Sequence, residues 1–108
     1  MILAMDFSAP SPPGPPWGEA RVAALRALAE SIARDTPGLL WKIWTEDQAA
    51  GRAGGLYAFA SRGQAEAYRV MHSARAAARG ATDIRTHIWD VNAPLSAITH
   101  APLPGATT

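Results

Sequence analysis

Cysteine is absent from this 108-residue chain, which removes disulfides, thiolate nucleophiles and cysteine-based metal sites together. Lysine is nearly absent: Lys42 stands alone beside nine arginines. Excess charge is missing as well, with ten basic against nine acidic residues and a formal net charge of +1. That balance offers no concentrated basic surface of the kind nucleic acid or an anionic membrane requires. No apolar run approaches the roughly 20 residues of a membrane span. The first residues, Met1–Phe7, lack the basic region that opens a secretory leader. These absences make a cytoplasmic protein without nucleic-acid or membrane partners the expectation. Disorder is excluded too, because 48% of the residues are hydrophobic. The length suits one domain, 1–108, with a single modest core.

The order of elements follows from pattern and punctuation. Ile2–Phe7 reads as a first strand. Residues 8–16 hold five of the nine prolines and form a loop that is neither helix nor inner strand. Val22, Leu25, Leu28, Ala29 and Ile32 recur at helical spacing and predict a helix over Glu19–Asp35 with that stripe buried. Thr36-Pro37-Gly38 stops it. A strand follows from Leu39, and Gly51, Gly54 and Gly55 mark the connection to a third strand over Gly55–Ala60. Ser61 and Gln64 form a capping-box pair that opens a second helix, closed near Gly80 by a left-handed cap. Asp83–Val91 reads as a fourth strand, and a tail without helical caps runs on from about residue 92.

Strand–helix–strand–strand–helix–strand is the order of an α+β, ferredoxin-like βαββαβ fold, a four-stranded antiparallel sheet with both helices on one face. Two helices cover one side only, yet the strands carry large apolar groups on both. An exposed patch of that size is one that monomers generally avoid. The expectation is therefore a homodimer, two sheets packed into an α/β barrel.

The densest local signal is Leu39–Glu46, where two of the four tryptophans flank the only lysine. Strand alternation puts Leu39, Trp41, Ile43 and Thr45 on one face and Leu40, Lys42, Trp44 and Glu46 on the other. The first set suits the helix-covered core, with Trp41 a core residue. The second, an aromatic with a cation and a carboxylate, suits a pocket. Tyr57 and Phe59 share a face and are candidates for its wall. On the second helix, Ala67, Met71, Ala74 and Ala78 make the stripe expected against the sheet. Tyr68, His72 and Arg75 make a neighbouring stripe at its border. There an imidazole can move protons near neutral pH and Arg75 can hold an anionic oxygen. The plainer reading of the pair is a wetted helix edge. His87 beside Trp89, His100 in the tail and Asn92 at a turn are weaker candidates. The three histidines fall on a helix, a strand and a tail, so spacing proposes no metal site. Gly51, Gly54 and Gly55 lack the Lys-Ser/Thr of a phosphate loop, and no dinucleotide fingerprint occurs, so no cofactor is expected.

Several blocks of the chain are also familiar as a set: Pro37–Glu46, Gly54–Phe59, Ala67-Tyr68, His72–Arg75 and Asp90–Ser96. In order and spacing they resemble the YdhR-like family of small bacterial mono-oxygenases, within the dimeric α/β-barrel superfamily. Two features depart from it: Asp6 stands where the resemblance leads one to expect histidine, and the loop over 8–18 is richer in proline. The resemblance implies a mono-oxygenase, with His72 and Arg75 catalytic and Lys42, Trp44, Tyr57, Phe59 and Tyr68 around the substrate. Without metal or flavin the substrate must supply the electrons. That points to molecular oxygen and a small or polycyclic aromatic, phenol- or quinol-like. The alternatives on this scaffold are a non-oxidative isomerase or cyclase using His72 as base, and a non-catalytic binder of an aromatic or haem.

Overall fold

A computed structural model describes residues 1–9 and 19–103; most of the expected proline-rich loop, from residue 10 onward, lies outside them. The elements are β1 (Ile2–Ser8), α1 (Glu19–Asp35), β2 (Leu39–Asp47), β3 (Arg52–Phe59), α2 (Arg62–Ala78), β4 (Thr82–Trp89) and α3 (Ala93–Ile98). The strands form one antiparallel sheet in the order β2-β3-β1-β4, the ferredoxin-like arrangement. No helix among the described residues is long and apolar enough to cross a membrane.

Local chemistry fixes the element ends. After α1 the Leu39 N–H closes a turn onto the Thr36 carbonyl at 3.3 Å. Pro37 supplies the fixed φ at its second position and Gly38 the positive φ, +76°, at its third. A side chain at Gly38 would also collide with Gln64. The Ser61 hydroxyl caps α2 by accepting from the Gln64 N–H at 3.3 Å. The box is only half formed, because Gln64 Oε1 accepts from the Ser61 hydroxyl at 3.1 Å. α2 ends in a Schellman pair, Ala81 N–H to the Ala76 carbonyl and Gly80 N–H to the Ala77 carbonyl, both 3.0 Å. The tail departs from expectation: Asn92 Oδ1 accepts from the Leu95 N–H at 3.2 Å and caps the short helix α3. Gly54 and Gly55 lie inside β3 rather than in the connection before it.

Register settles the faces, since cross-strand partners point the same way. Leu3 lies between Tyr57 and Ile88, and Met5 between Gly55 and Thr86. With Phe59, Ala65 and Tyr68, these two residues and Tyr57 make the buried core beneath the helices. In β2 the register slips by one residue at Leu40, and this bulge reverses the expected alternation. Leu39 pairs with Phe59 on the helix side, but Trp41 pairs with Ala58 on the open side. Lys42 pairs with Tyr57 and Trp44 with Gly55, so the lysine and its tryptophan lie on the helix side of the sheet, with Trp44 still 40% exposed. Trp41 is therefore outside the core; its indole N–H donates to the Pro102 carbonyl at 2.8 Å.

The helix α2 is also turned from the expected phase. Its buried residues are Ala65, Tyr68, His72 and Ala76, while Ala67, Met71, Ala74 and Ala78 face out. The stripe with the tyrosine is the more polar of the two, yet it is the buried one because the Tyr68 ring packs into the Tyr57–Phe59 core. Among the described side chains of helix α1 only Ile32 is fully buried; Leu25, Leu28 and Ala29 are half-buried and Val22 is exposed. This helix stands off the sheet, and the gap is the cavity described below.

The rotation of α2 has a measurable consequence. Tyr68→Ala should destabilise the fold by about 3–5 kcal/mol, as loss of a buried ring does. Met71→Ala should stay within about 0.5 kcal/mol. Urea denaturation midpoints check both, and the reverse ranking would restore the stripe read from the sequence.

Candidate active site

A cavity of about 250 Å³ lies between α1, α2 and the β2–β3 edge of the sheet. Leu25 and Leu28 of α1 and Phe7 of β1 supply its apolar surface, Trp44 and Tyr57 its rings, and Lys42, His72 and Arg75 its polar groups. Five of the seven residues proposed from the sequence meet here. The other two form the layer behind: Phe59 and Tyr68 are buried in the core and do not reach the cavity. Tyr68 packs against Tyr57 with ring centroids 5.0 Å apart and stacks on His72 at 5.0 Å. Glu46, read from the sequence as part of the Lys42–Trp44 face though not as a site residue, and Arg79, which sequence reasoning missed, lie at the exposed rim. Each carries a signal: Glu46 continues the Lys42–Trp44 alternation, and Arg79 lies one helical turn beyond Arg75. His87 lies on the open face against Trp89, 4.0 Å between rings, and His100 is exposed.

Lys42 is held by rings rather than by a carboxylate. Its Nζ sits 3.4 Å from the centroid of Trp44 and 4.8 Å from that of Tyr57, within cation–π range. Among the described residues it has no ion pair. Gly55 makes room for it, since a Cβ there would come within 2.9 Å of Lys42 Cε and 3.1 Å of Tyr57 Cε1. Burial, with Arg75 adding like-charge repulsion, pushes the ammonium down to about 8.

His72 is 7% exposed and points at the sheet rather than along a helix edge. Arg75 Nε donates to its Nδ1 at 3.1 Å, and Arg75 Nη2 lies 2.6 Å from the same atom. Arg75 Nη2 also donates to the Tyr68 hydroxyl at 3.4 Å. A nitrogen that accepts from a guanidinium carries no proton, so the imidazole is neutral with its proton on Nε2. Burial, then the charges of Arg75, Lys42 and Arg79, push His72 down to about 4. It is therefore not poised to exchange protons near neutrality. Burial likewise raises Tyr57 and Tyr68, which remain protonated hydroxyls.

Asp6 lies outside this cavity, on the open side of the sheet. Arg52 Nε donates to it at 2.6 Å and Arg52 Nη1 to Asp83 at 2.9 Å, an ion network at the sheet's end. Among the described residues no three His, Asp or Glu side chains converge as a metal site would need.

The family described as "Putative mono-oxygenase ydhR" matches residues 2–102. A solved structure titled as a putative antibiotic biosynthesis monooxygenase from Deinococcus radiodurans superposes with a TM-score of 0.51 at 20% identity. The match covers 85% of this chain and 93% of that one, a likeness of fold. No curated protein matches.

The depressed His72 pKa predicts a stability profile. The unfolded imidazole takes up its proton near pH 6.5 and the folded one near 4. Between those values the unfolded chain binds more protons, so this contribution is complete above about 6.5 and is lost as pH falls toward 4. The shift corresponds to at most about 3 kcal/mol. The His72 ring resonance in NMR should stay at its neutral position down to pH 5, and a midpoint near 6.5 would remove the buried-imidazole description.

Proposed function

The chain belongs to the YdhR mono-oxygenase family, and from that membership we propose that it oxygenates a small electron-rich aromatic without a bound cofactor. One observation carries the reading: the cations Lys42 and Arg75 face one apolar, ring-lined cavity together with a neutral imidazole. Such a site favours the anion of a phenol or quinol over its neutral form. At about 250 Å³ it falls below the roughly 300–1,000 Å³ of sites for drug-sized ligands. That size favours one ring over the polycyclic end of the expected range.

The chemistry divides among the residues as follows. The Lys42 amine, free above about pH 8, takes the phenolic proton in place of His72. The phenolate is then held between the Lys42 ammonium and the Arg75 guanidinium. It passes an electron to molecular oxygen, and the two radicals join as a ring hydroperoxide. Loss of water leaves a quinone, so that phenol and O₂ give quinone and water in balance. His72, its Nδ1 occupied by Arg75, contributes an Nε2–H as donor to the reduced oxygen. Tyr68 and Phe59 hold His72 and Tyr57 in place from behind. The apolar walls exclude water from the radical pair.

We also propose a homodimer through the open sheet face. Ile43 and Trp89, 52% and 54% exposed, lie there with Leu56 and His87, an apolar area that a second sheet would cover.

Oxygen uptake with a panel of hydroxylated single-ring aromatics tests the first proposal. Lys42→Met should lower kcat by about 10²–10⁴, the usual worth of a positioned acid–base group. Arg75→Ala should raise KM more than it lowers kcat. The wild-type rate should climb with pH through about 8, as Lys42 loses its proton. Undiminished uptake in both variants would take the reaction out of this cavity.

Light scattering tests the second proposal. The wild type should give twice the chain mass at micromolar concentration, and Trp89→Glu should return the monomer with its fold intact. A monomeric wild type would remove the proposed interface.

A further inference from the structure

Lys42 is the only lysine in the chain, and its setting differs from that of a solvent-facing amine. Its stem passes Gly55, its head rests on Trp44 and Tyr57, and the cavity beside it has a volume of about 250 Å³. The charged and titratable groups around it are Arg75, Arg79 and His72 from α2, Tyr57 from β3 and Glu46 from its own strand. The described cavity residues of α1 are Leu25 and Leu28, which carry no charge. Among the described residues two guanidinium groups and one rim carboxylate thus line the cavity that holds the amine, and Arg75 acts on it directly. A lysine desolvated beside another cation is the arrangement that turns an ammonium into a nucleophilic amine.

We propose that Lys42 is a covalent trapping site for aromatic aldehydes or ketones that carry an anionic substituent. The ring takes the place against Trp44, Arg75 and Arg79 hold the anionic group, and the carbonyl carbon faces Nζ. The Nζ lone pair attacks that carbon to give a carbinolamine. The two amine protons leave with the carbonyl oxygen as water, and a C=N bond joins lysine to ligand. No electron acceptor or donor takes part, so this activity needs no oxygen and stands apart from the oxygenase reading. Its effect would be to exchange, condense or hold a carbonyl compound in a cavity that also takes phenols.

The lowered proton affinity of Lys42 supports the geometry. At pH 7 an amine with a pKa of about 8 is free in roughly one molecule in ten. An ordinary lysine is free in roughly one in three thousand.

The test uses the full chain with 4-formylbenzenesulfonate and cyanoborohydride at pH 7. The reductant converts any imine to a stable secondary amine. Intact mass and peptide mapping separate Lys42 from the one other candidate, the Met1 α-amine. The expected result is a single adduct on the peptide containing Lys42, formed at least tenfold faster than on the same chain unfolded in guanidinium. Lys42→Arg, which keeps the cation over Trp44, should abolish that adduct, and Arg75→Gln should slow it several-fold at pH 7. Benzaldehyde, which lacks the anionic group, should react more slowly than its sulfonate. Modification confined to Met1, or labelling of Lys42 no faster in the folded than in the unfolded chain, would overturn the proposal. The folded-to-unfolded comparison is made on the wild type, so it holds even if a variant fails to fold. Adduct formation without oxygen uptake would leave this inference standing and remove the oxygenase, and uptake without an adduct would do the reverse.

Discussion

The site depends on placing the Lys42 ammonium under a helix layer without a carboxylate partner among the described residues. Burying a charge is costly unless something compensates, and here the compensation comes from two ring faces. Cation–π contacts contribute about 0.5–2 kcal/mol depending on desolvation, too little to hold a fully charged amine against burial and a neighbouring guanidinium. The amine responds by binding its proton less tightly. Burial, and then the charges of Arg75, Lys42 and Arg79, lower the proton affinity of His72 in the same cavity. Arg75 donates to the His72 lone pair. Lys42, without an ion pair among the described residues, thus helps set the protonation state of His72.

Two backbone features bring this about. The bulge at Leu40 shifts β2 by one residue, so that Lys42 and Trp44 turn to the helix side of the sheet while Trp41 and Ile43 go to the open side. Regular alternation from Leu39 would have put Trp41 in the core and the lysine in solvent. The phase of α2 does the rest. Tyr68 anchors it against Tyr57 and Phe59, which points His72 at the sheet one turn later and leaves Arg75 beside it. The site's polarity follows from packing of the apolar residues behind it.

This explains how far the sequence could be read. Element order was legible because Ile32, Leu28 and Leu25 keep a helical period and Thr36-Pro37-Gly38 and Ser61 punctuate it. The site residues were legible as a group because Lys42-x-Trp44 and Tyr68-x₃-His72-x₂-Arg75 are polar interruptions of apolar elements. The faces were not. Ala67-Met71-Ala74-Ala78 is the more apolar stripe, so hydrophobicity favours it over Ala65-Tyr68-His72-Ala76; the ring cluster on the sheet reverses that choice. The Leu40 bulge has no residue signature, since neither glycine nor proline marks it. Asn92 did carry a signal, a capping side chain three residues before Leu95, but Pro94 drew attention to a break rather than to a first helical turn.

The stand-off of α1 completes the argument. Leu25, Leu28 and Ala29 remain half-buried, so the helix gives up apolar burial at about 25 cal/mol for each Å² left open. Closing that gap would press leucines onto Lys42, with no water or ligand to solvate the ammonium. The cation therefore opposes collapse of the cavity, and the cavity's apolar surface opposes filling by water alone. A flat anionic ring satisfies both demands: its negative group neutralises the excess of guanidinium and ammonium, and its faces meet Trp44 on one side and the leucines on the other. The unfilled packing of α1 and the charge of Lys42, unpaired among the described residues, thus point to one class of occupant.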